Sequence, residues 1–171
     1  MDIIKKISPV IGKGKLWVIK DNYFNFWIKF VYRYREEIEI GIYSFQEREF
    51  KRYLGFIFED ICKELLPDLA PFNFTKIGKW WHKDKEIDIV ALNDQTKEIL
   101  FAECKWSDKI NPEEICKDLI ENKIPYVNWY NNERKEYIAI FAKSFKKKIE
   151  EFEGRKVFCI DLKDLEKIIK A

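Results

Sequence analysis

The chain has 171 residues, of which 47% are hydrophobic and 16% aromatic, so we expect a packed domain rather than a disordered chain. Charged residues make up 36% and the net charge is only +2, which argues against a strongly basic nucleic-acid coat but leaves a local basic groove open. The abundance of Lys and Glu is typical of proteins from hyperthermophiles, and also of A+T-rich genomes.

Four cysteines are scattered along the chain without a Cys-x-x-Cys pair, at Cys62, Cys104, Cys116 and Cys159. This spacing gives no support to a zinc site and indicates reduced thiols in a cytoplasmic protein. The sequence has neither a secretory signal nor an apolar run of about 18 residues, so we expect no export and no membrane partner.

The first 46 residues are predicted to form a small helical and β appendage. Residues 1–20 are β-like, and Asp21 or Asn22 can cap a following helix. That helix, over 22–34, carries more aromatic side chains than one buried face needs. We therefore expect it to pack on its own domain and also on a neighbouring domain or subunit. A strand is predicted after it, over 37–43.

The remaining residues, 47–171, are predicted to form an α/β domain. The predicted elements, in order, are a helix over 44–66 ended by Pro67 and Pro71, strands over 75–82, 86–92 and 98–106, a helix beginning at Asn111, a strand over 136–142, a helix over 143–151, a strand over 157–160 and a helix over 161–170. Strands joined first by a hairpin and then by helical crossovers imply a mixed sheet with helices on its faces.

The centre of the chain is a predicted β-hairpin. Its strands, 86–92 and 98–106, are apolar and rich in β-branched or aromatic residues, and a polar turn separates them. If Asn93 pairs with Glu98 around a four-residue loop, the whole register of the hairpin follows. Charged residues interrupt the apolar runs, and the register determines where these charges meet.

In this register two carboxylates and one ammonium group share a patch of the sheet. Asp88 lies opposite Glu103, and Glu86 lies opposite Lys105, with paired Cβ atoms about 5 Å apart. Two carboxylates that close repel each other unless a cation lies between them, and Mg²⁺ prefers carboxylate oxygens. Lys105 alone could supply the positive charge, so a solvated surface ion cluster is the alternative. A slip of one residue would move Asp88 to the other face.

A third carboxylate lies on the long predicted helix. Glu59 is at the edge of the apolar stripe, aligned with Gly55 four positions before it and Cys62 three positions after it. These small neighbours would allow another element to approach the carboxylate. The alternative is an ordinary glutamate at the boundary of the core.

The order of elements resembles that of the PD-(D/E)xK nuclease superfamily, which has the restriction-endonuclease-like fold. The resemblance covers residues 47–170 and depends on Glu59 in the first helix, Asp88 in the second strand and the Glu-Cys-Lys tripeptide 103–105 in the third. Ile87 stands where the name of the superfamily has proline. The resemblance implies metal-assisted hydrolysis of a phosphodiester bond in DNA.

The same resemblance implies a role for each site residue. Asp88 and Glu103 would bind Mg²⁺ or Mn²⁺, with the backbone carbonyl of Cys104 as a third oxygen ligand. Glu59 would be an outer ligand or would orient a metal-bound water. Lys105 would position or help to deprotonate the attacking water, or stabilise the developing charge of the phosphorane.

A narrower set of motifs is similar to the C-terminal domain of archaeal AAA-type (DEXX-box) ATPases. The motifs are the run from Asp21 to Phe30 with its Phe26-Trp27 pair, Gly55-x-x-Phe58-Glu59, Gly78-x-Trp80-Trp81, the run from Glu86 to Ala91 and the run from Ala102 to Trp106. This similarity implies an AAA-type ATPase domain, or a second copy of the chain, as a partner of the aromatic helix over 22–34. The ATPase activity is not carried over, because the sequence lacks a phosphate-binding G-x-x-x-x-G-K-[S/T] motif.

Three hypotheses about function follow. The first is a metal-dependent DNA endonuclease. The second is a catalytically inactive DNA- or partner-binding module that regulates an archaeal ATPase. The third is an α/β domain whose charged cluster has no function.

Overall fold

Six strands form the central sheet in the structure, a computed structural model that describes residues 3–170. The elements are β1 (Ile4–Ile7), β2 (Leu16–Ile19), α1 (Asn22–Phe26), α2 (Arg35–Glu39), α3 (Glu47–Leu69), β3 (Lys76–His82), β4 (Lys85–Asn93), β5 (Glu98–Lys105), α4 (Pro112–Asp118), β6 (Lys135–Ala142), β7 (Glu151–Phe152), β8 (Arg155–Ile160) and α5 (Leu162–Lys170). The strand order is β3-β4-β5-β6-β8-β7, and only the β5–β6 and β6–β8 pairs are parallel. The predicted mixed α/β sheet flanked by helices is confirmed, as is the small N-terminal appendage, in which β1 and β2 pair separately.

The central strands are buried on both faces, which explains their continuous apolar runs. Alternate residues of β5 project to opposite sides of the sheet. Leu100 packs in the same cluster as Phe58 of α3, so we call this side the α3 face. Phe101 packs in the same cluster as Leu119, which follows α4, and we call this side the α4 face.

The starts of α1 and α4 are fixed by the predicted capping residues. The carboxylate of Asp21 accepts a hydrogen bond from the Phe24 backbone N–H at 2.6 Å. The Asn111 side chain accepts one from the Glu113 N–H at 3.3 Å, and Pro112 occupies the first helical position. Each cap satisfies a backbone donor that the first helical turn leaves without a partner.

The predicted strand over 37–43 is wrong, because α2 covers Arg35–Glu39 and a turn follows it. Glu36 and Glu37 lie in the first turn of α2, where the helix dipole favours acidic side chains. Gly41 has a φ of 75°, a left-handed conformation that glycine adopts readily and that ends a helix.

The predicted helix over 143–151 is also wrong. Phe145 forms a bridge with Ile110, the following residues are irregular, and β7 pairs with β8 at the edge of the sheet. The turn between β7 and β8 contains Gly154 with a φ of 74°. The lysines of this segment have good helix propensity, but the pairing with the sheet edge outweighs it.

The long helix α3 is shifted from its predicted bounds. It begins at Glu47 rather than Ser44 and continues through Pro67 to Leu69. Pro67 therefore lies inside the last turns instead of ending the helix. Leu66, which is buried against the sheet, is directly before this proline, so core packing holds the helix together here.

The aromatic segment after Asp21 packs on α3 with one side. It runs from α1 through a π-helical turn (Trp27–Val31) and a 3₁₀ turn (Tyr32–Tyr34). The rings of Phe26 and Phe30 lie 5.9 and 5.7 Å from the ring of Tyr53. Its other side leaves Tyr23, Trp27 and Tyr32 exposed. A partner for this exposed side stays a prediction.

The β1–β2 hairpin is attached to β3, the edge strand of the central sheet. The Val10 N–H donates a hydrogen bond to the Lys79 carbonyl at 2.9 Å. A second attachment is at α1, where the Tyr53 hydroxyl of α3 donates a hydrogen bond to the Asn22 carbonyl at 2.6 Å. The loop between β1 and β2 therefore occupies the exposed edge of β3 at Lys79, a position that could otherwise pair with another chain.

The proposed boundary between residues 46 and 47 falls directly before α3 and stays a prediction. Across residues 3–170, the chain has no helix with the length and apolar character needed to cross a bilayer.

Candidate active site

The pairing of β4 with β5 ends one residue pair before the predicted contact between Asp88 and Glu103. The ladder runs from the Asn93 pair to the pair of Ile89 with Ala102, which confirms the predicted register over this part. Beyond it, β4 continues to pair with β3 alone. The two strands therefore separate where the charged residues begin, and we call this opening the β4–β5 gap.

A β-bulge places Asp88 at this gap. On β3, Lys79 faces both Asp88 and Ile89, because the register shifts by one residue at this point. As a result Ile87 and Val90 pack in the same cluster on the α4 face, although simple alternation would direct them to opposite faces. Counting residues along β4 therefore does not predict the direction of the Asp88 side chain.

The Asp88 carboxylate lies between the two strands. Its Oδ2 accepts a hydrogen bond from the Cys104 backbone N–H at 2.9 Å. Because strand N–H groups point along the plane of the sheet, this carboxylate replaces the carbonyl that a longer ladder would supply. The N–H and C=O of one strand residue point to the same neighbour in an antiparallel pair, so the Cys104 carbonyl also opens into the β4–β5 gap.

Glu103 is a buried acid held by two lysines. Its side chain is 2% exposed, with one oxygen 2.6 Å from Lys105 Nζ and the other 2.7 Å from Lys123 Nζ. Lys123 ends a π-helical turn, Leu119–Lys123, that follows α4. Two ammonium groups offset the cost of burying the carboxylate charge. Sequence reasoning missed Lys123, because no motif marks it and the π-helical turn changes the helical spacing.

Lys105 is positively charged and lies within the influence of both acids. Burial lowers the pKa of Lys105, but the charges of Glu103 and Asp88 outweigh this effect and raise the pKa above its ordinary value. The ammonium group therefore persists at neutral pH. Glu103, Lys105 and Asp88 are brought together around the β4–β5 gap.

Glu59 lies on the other side of Asp88. Burial, and then the charge of Asp88, raise the pKa of Glu59 to about 7, although Lys79 opposes the shift from 3.1 Å. Glu86 does not face Lys105, so that prediction is wrong. It pairs with Trp81 of β3, since β4 has already left β5, and its carboxylate lies 3.7 Å from Lys79 Nζ.

The three carboxylates of the predicted site therefore do not lie on one face of the sheet. Glu103 projects to the α4 face, Glu59 approaches from α3, and Asp88 lies in the gap between them. The prediction that Asp88 and Glu103 project side by side is wrong in this detail, because the bulge moves Asp88. Between residues 3 and 170, no three His, Cys, Asp or Glu side chains are grouped closely enough to hold a metal ion.

Comparison with known proteins places the chain in a family. The model of the family DUF234, described as "Archaea bacterial proteins of unknown function", matches residues 27–124. This chain belongs to the DUF234 family. The match extends from the aromatic segment to the turn that carries Lys123, so the DUF234 region contains every side chain of the candidate site.

The uncharacterized protein MJECL04 of Methanocaldococcus jannaschii is 38% identical to this DUF234 chain over 178 residues. That alignment covers 96% of the chain but only 39% of the relative, so the chain spans well under half of the relative's length. No solved structure matches the chain.

Proposed function

We propose that this DUF234 chain carries a metal-dependent phosphodiester hydrolase site of the PD-(D/E)xK type that acts on DNA. The proposal is carried by the hydrogen bond from the Cys104 N–H to Asp88. This bond holds a carboxylate beside a backbone carbonyl and the Lys105 ammonium group, at the opening of two neighbouring strands. The order of helix and strands around the gap supports the same proposal.

The donor set suits a hard divalent cation in its chemistry, but the carboxylates are not grouped around one point, so they would have to move together to share the ion. Oxygen donors are what Mg²⁺ and Mn²⁺ prefer, and Asp88, Glu103 and the Cys104 carbonyl would hold the ion, with Glu59 as an outer ligand. When bound, such an ion polarises a phosphoryl oxygen and lowers the pKa of its water. Because Lys105 and Lys123 already pair with Glu103, binding of the ion to this carboxylate competes with both ammonium groups.

The side chains around the gap have separate tasks in this proposal. Lys105 remains protonated and offers its charge to a phosphate oxygen of the substrate. Lys123 holds Glu103 in the α4 face. Lys79 stabilises Glu59 from β3 and limits the repulsion between this acid and Asp88.

Nicking of supercoiled plasmid tests the proposal. The wild-type chain is expected to nick plasmid with Mn²⁺ and not with EDTA. Lys105→Ala and Asp88→Ala are expected to lower the nicking rate by about a hundredfold or more. Lys117→Ala, which removes an exposed lysine of α4, is the matched control and should nick like the wild type. Undiminished nicking in both site variants would show that the activity lies elsewhere.

A second candidate function is a regulatory binding module of an archaeal ATPase. It is favoured by the exposed side chains of Tyr23, Trp27 and Tyr32, since exposed aromatic side chains are enriched at protein interfaces. Binding of duplex DNA or of an AAA-type ATPase domain, with no Mn²⁺-dependent nicking, would favour this alternative.

A further inference from the structure

A groove of about 640 Å³ leads from the N-terminal appendage to the candidate site. The β1–β2 hairpin and α1 form one wall, and α3 with β3 and β4 forms the other. Glu59 and Asp88 line the same groove. Both attachments of the appendage, the Val10–Lys79 and Tyr53–Asn22 hydrogen bonds, fix these walls relative to each other.

One stripe of α3 faces the groove. It consists of Phe56, Glu59, Asp60 and Lys63, whose spacing of three and four residues places them on one side of the helix. Phe56 is 53% exposed, and the Nζ of Lys29 lies 5.4 Å from the centre of its ring. The groove therefore presents an accessible aromatic ring next to a cation.

The lysines of the appendage wall differ from Lys79 on the other wall in their ion pairs. Lys79 is paired with Glu59 and Glu86. Lys5 and Lys29 also line the groove, but neither forms an ion pair with a carboxylate in the part of the chain that the structure describes. Their charge is available to an anion on the appendage side of the groove, because the carboxylates that line it, Glu59, Asp60, Glu86 and Asp88, all belong to the other wall.

We propose that this groove binds a single strand of DNA and delivers it to the candidate site. The inference rests on the proposed function and narrows its substrate. Phosphates contact Lys5, Lys29 and Lys63, and an unstacked base packs on Phe56, so that the strand leads to Asp88. Apolar side chains of both walls, such as Leu16, Val18 and Ile77, and the exposed Phe56 ring suit the free faces of unpaired bases. A duplex keeps its base faces stacked inside.

Fluorescence anisotropy in EDTA tests this without any cleavage. The probes are a short dye-labelled oligothymidylate and a blunt duplex of the same length. The wild-type chain is expected to bind the single strand more tightly than the duplex. Phe56→Ala should weaken single-strand binding about tenfold, since base–aromatic stacking has this effect in other proteins.

Charge reversal on the appendage wall gives a second readout. Lys5→Glu and Lys29→Glu should each weaken single-strand binding and lower the salt dependence by about 0.7 in the slope of log K against log salt. Lys163→Glu, on the exposed face of α5 and outside the groove, is the matched control and should bind like the wild type.

The outcomes separate this inference from the proposed function. Equal binding of single strand and duplex, or unchanged binding in both Lys5→Glu and Lys29→Glu, would overturn the groove assignment even if plasmid nicking is observed. Groove-dependent binding of the single strand would support the groove assignment even where Mn²⁺-dependent nicking is absent, a result that counts against the hydrolase alone.

Discussion

Glu103 and Lys123 form an ion pair between β5 and the π-helical turn after α4, with 2.7 Å between the carboxylate oxygen and Nζ. The Glu103 side chain is 2% exposed and that of Lys123 is 17% exposed. The pair joins a residue of the predicted tripeptide to a lysine that no motif marks. It also ties the helical layer on the α4 face to the strand that carries the site.

Lys123→Met should lower the free energy of unfolding by about 2 kcal/mol at pH 7, because one oxygen of a buried carboxylate loses its partner. The double variant Glu103→Gln/Lys123→Met should lose less than the sum of the single variants. Urea denaturation measures the free energy of unfolding of the wild type and of each variant. Lys117→Met, which removes an exposed pair with Glu121, should change stability by less than about 0.5 kcal/mol. Additive losses would contradict a coupled pair.

Glu59 should make the folded state less stable as the pH rises. Its pKa is about 7 in the folded chain against an ordinary value of 4.5, so the folded state binds more protons between these values. Stability is therefore lost as the pH rises from about 4.5 to 7, by at most about 3 kcal/mol.

Glu59→Gln should flatten this pH dependence, and thermal unfolding between pH 4.5 and 8 measures it. Asp60→Asn, at an exposed neighbouring position of α3, is the control and should keep the wild-type slope. An unchanged slope in Glu59→Gln would show that another group is responsible.

Divalent metal should stabilise the folded chain through Asp88. At a Mn²⁺ concentration a hundredfold above Kd, binding to the folded state adds about 3 kcal/mol and raises Tm. Asp88→Asn should abolish this rise, because the amide keeps the shape but removes the charge. Asp108→Asn, which changes an exposed acid beside Lys143, should retain it. The same rise in both variants would exclude Asp88 as a ligand.

Arg134 should position the turn that carries Lys123. Its guanidinium donates hydrogen bonds to the carbonyl oxygens of Val127 and Trp129 at 2.6 and 2.9 Å, and to that of Ile124 at 3.4 Å. Lysine has no planar fork of donors, so Arg134→Lys should cost about 2 kcal/mol in stability.

Hydrogen exchange should show, in addition, faster exchange over residues 119–127 in Arg134→Lys. Lys135→Met, whose side chain is 69% exposed, serves as the control and should leave both stability and exchange unchanged. Unchanged exchange in Arg134→Lys would assign Arg134 a purely local role.

The sequence is sufficient to predict the hairpin register from Asn93 to Ala102, because the polar residues between the two apolar runs set a four-residue turn and the turn sets the pairing. The sequence does not predict the direction of the Asp88 side chain, because no residue type in β4 indicates that a bulge adds one residue there. Lys123 is missed for a related reason: a π-helical turn changes the spacing by which helix faces are inferred. The helix predicted over 143–151 is wrong for another reason: its lysines have good helix propensity, but pairing at the edge of the sheet outweighs this local preference.

Lys79 has two attachments that act in different parts of the molecule. Its backbone carbonyl accepts a hydrogen bond from the Val10 N–H of the hairpin, and its ammonium group donates one to the Glu59 carboxylate. Separation of the hairpin from β3 would therefore displace Lys79, which forms the ion pair with Glu59. The appendage and the α/β domain are thus coupled through one residue, and a displacement of the hairpin would reach the Glu59 carboxylate through Lys79.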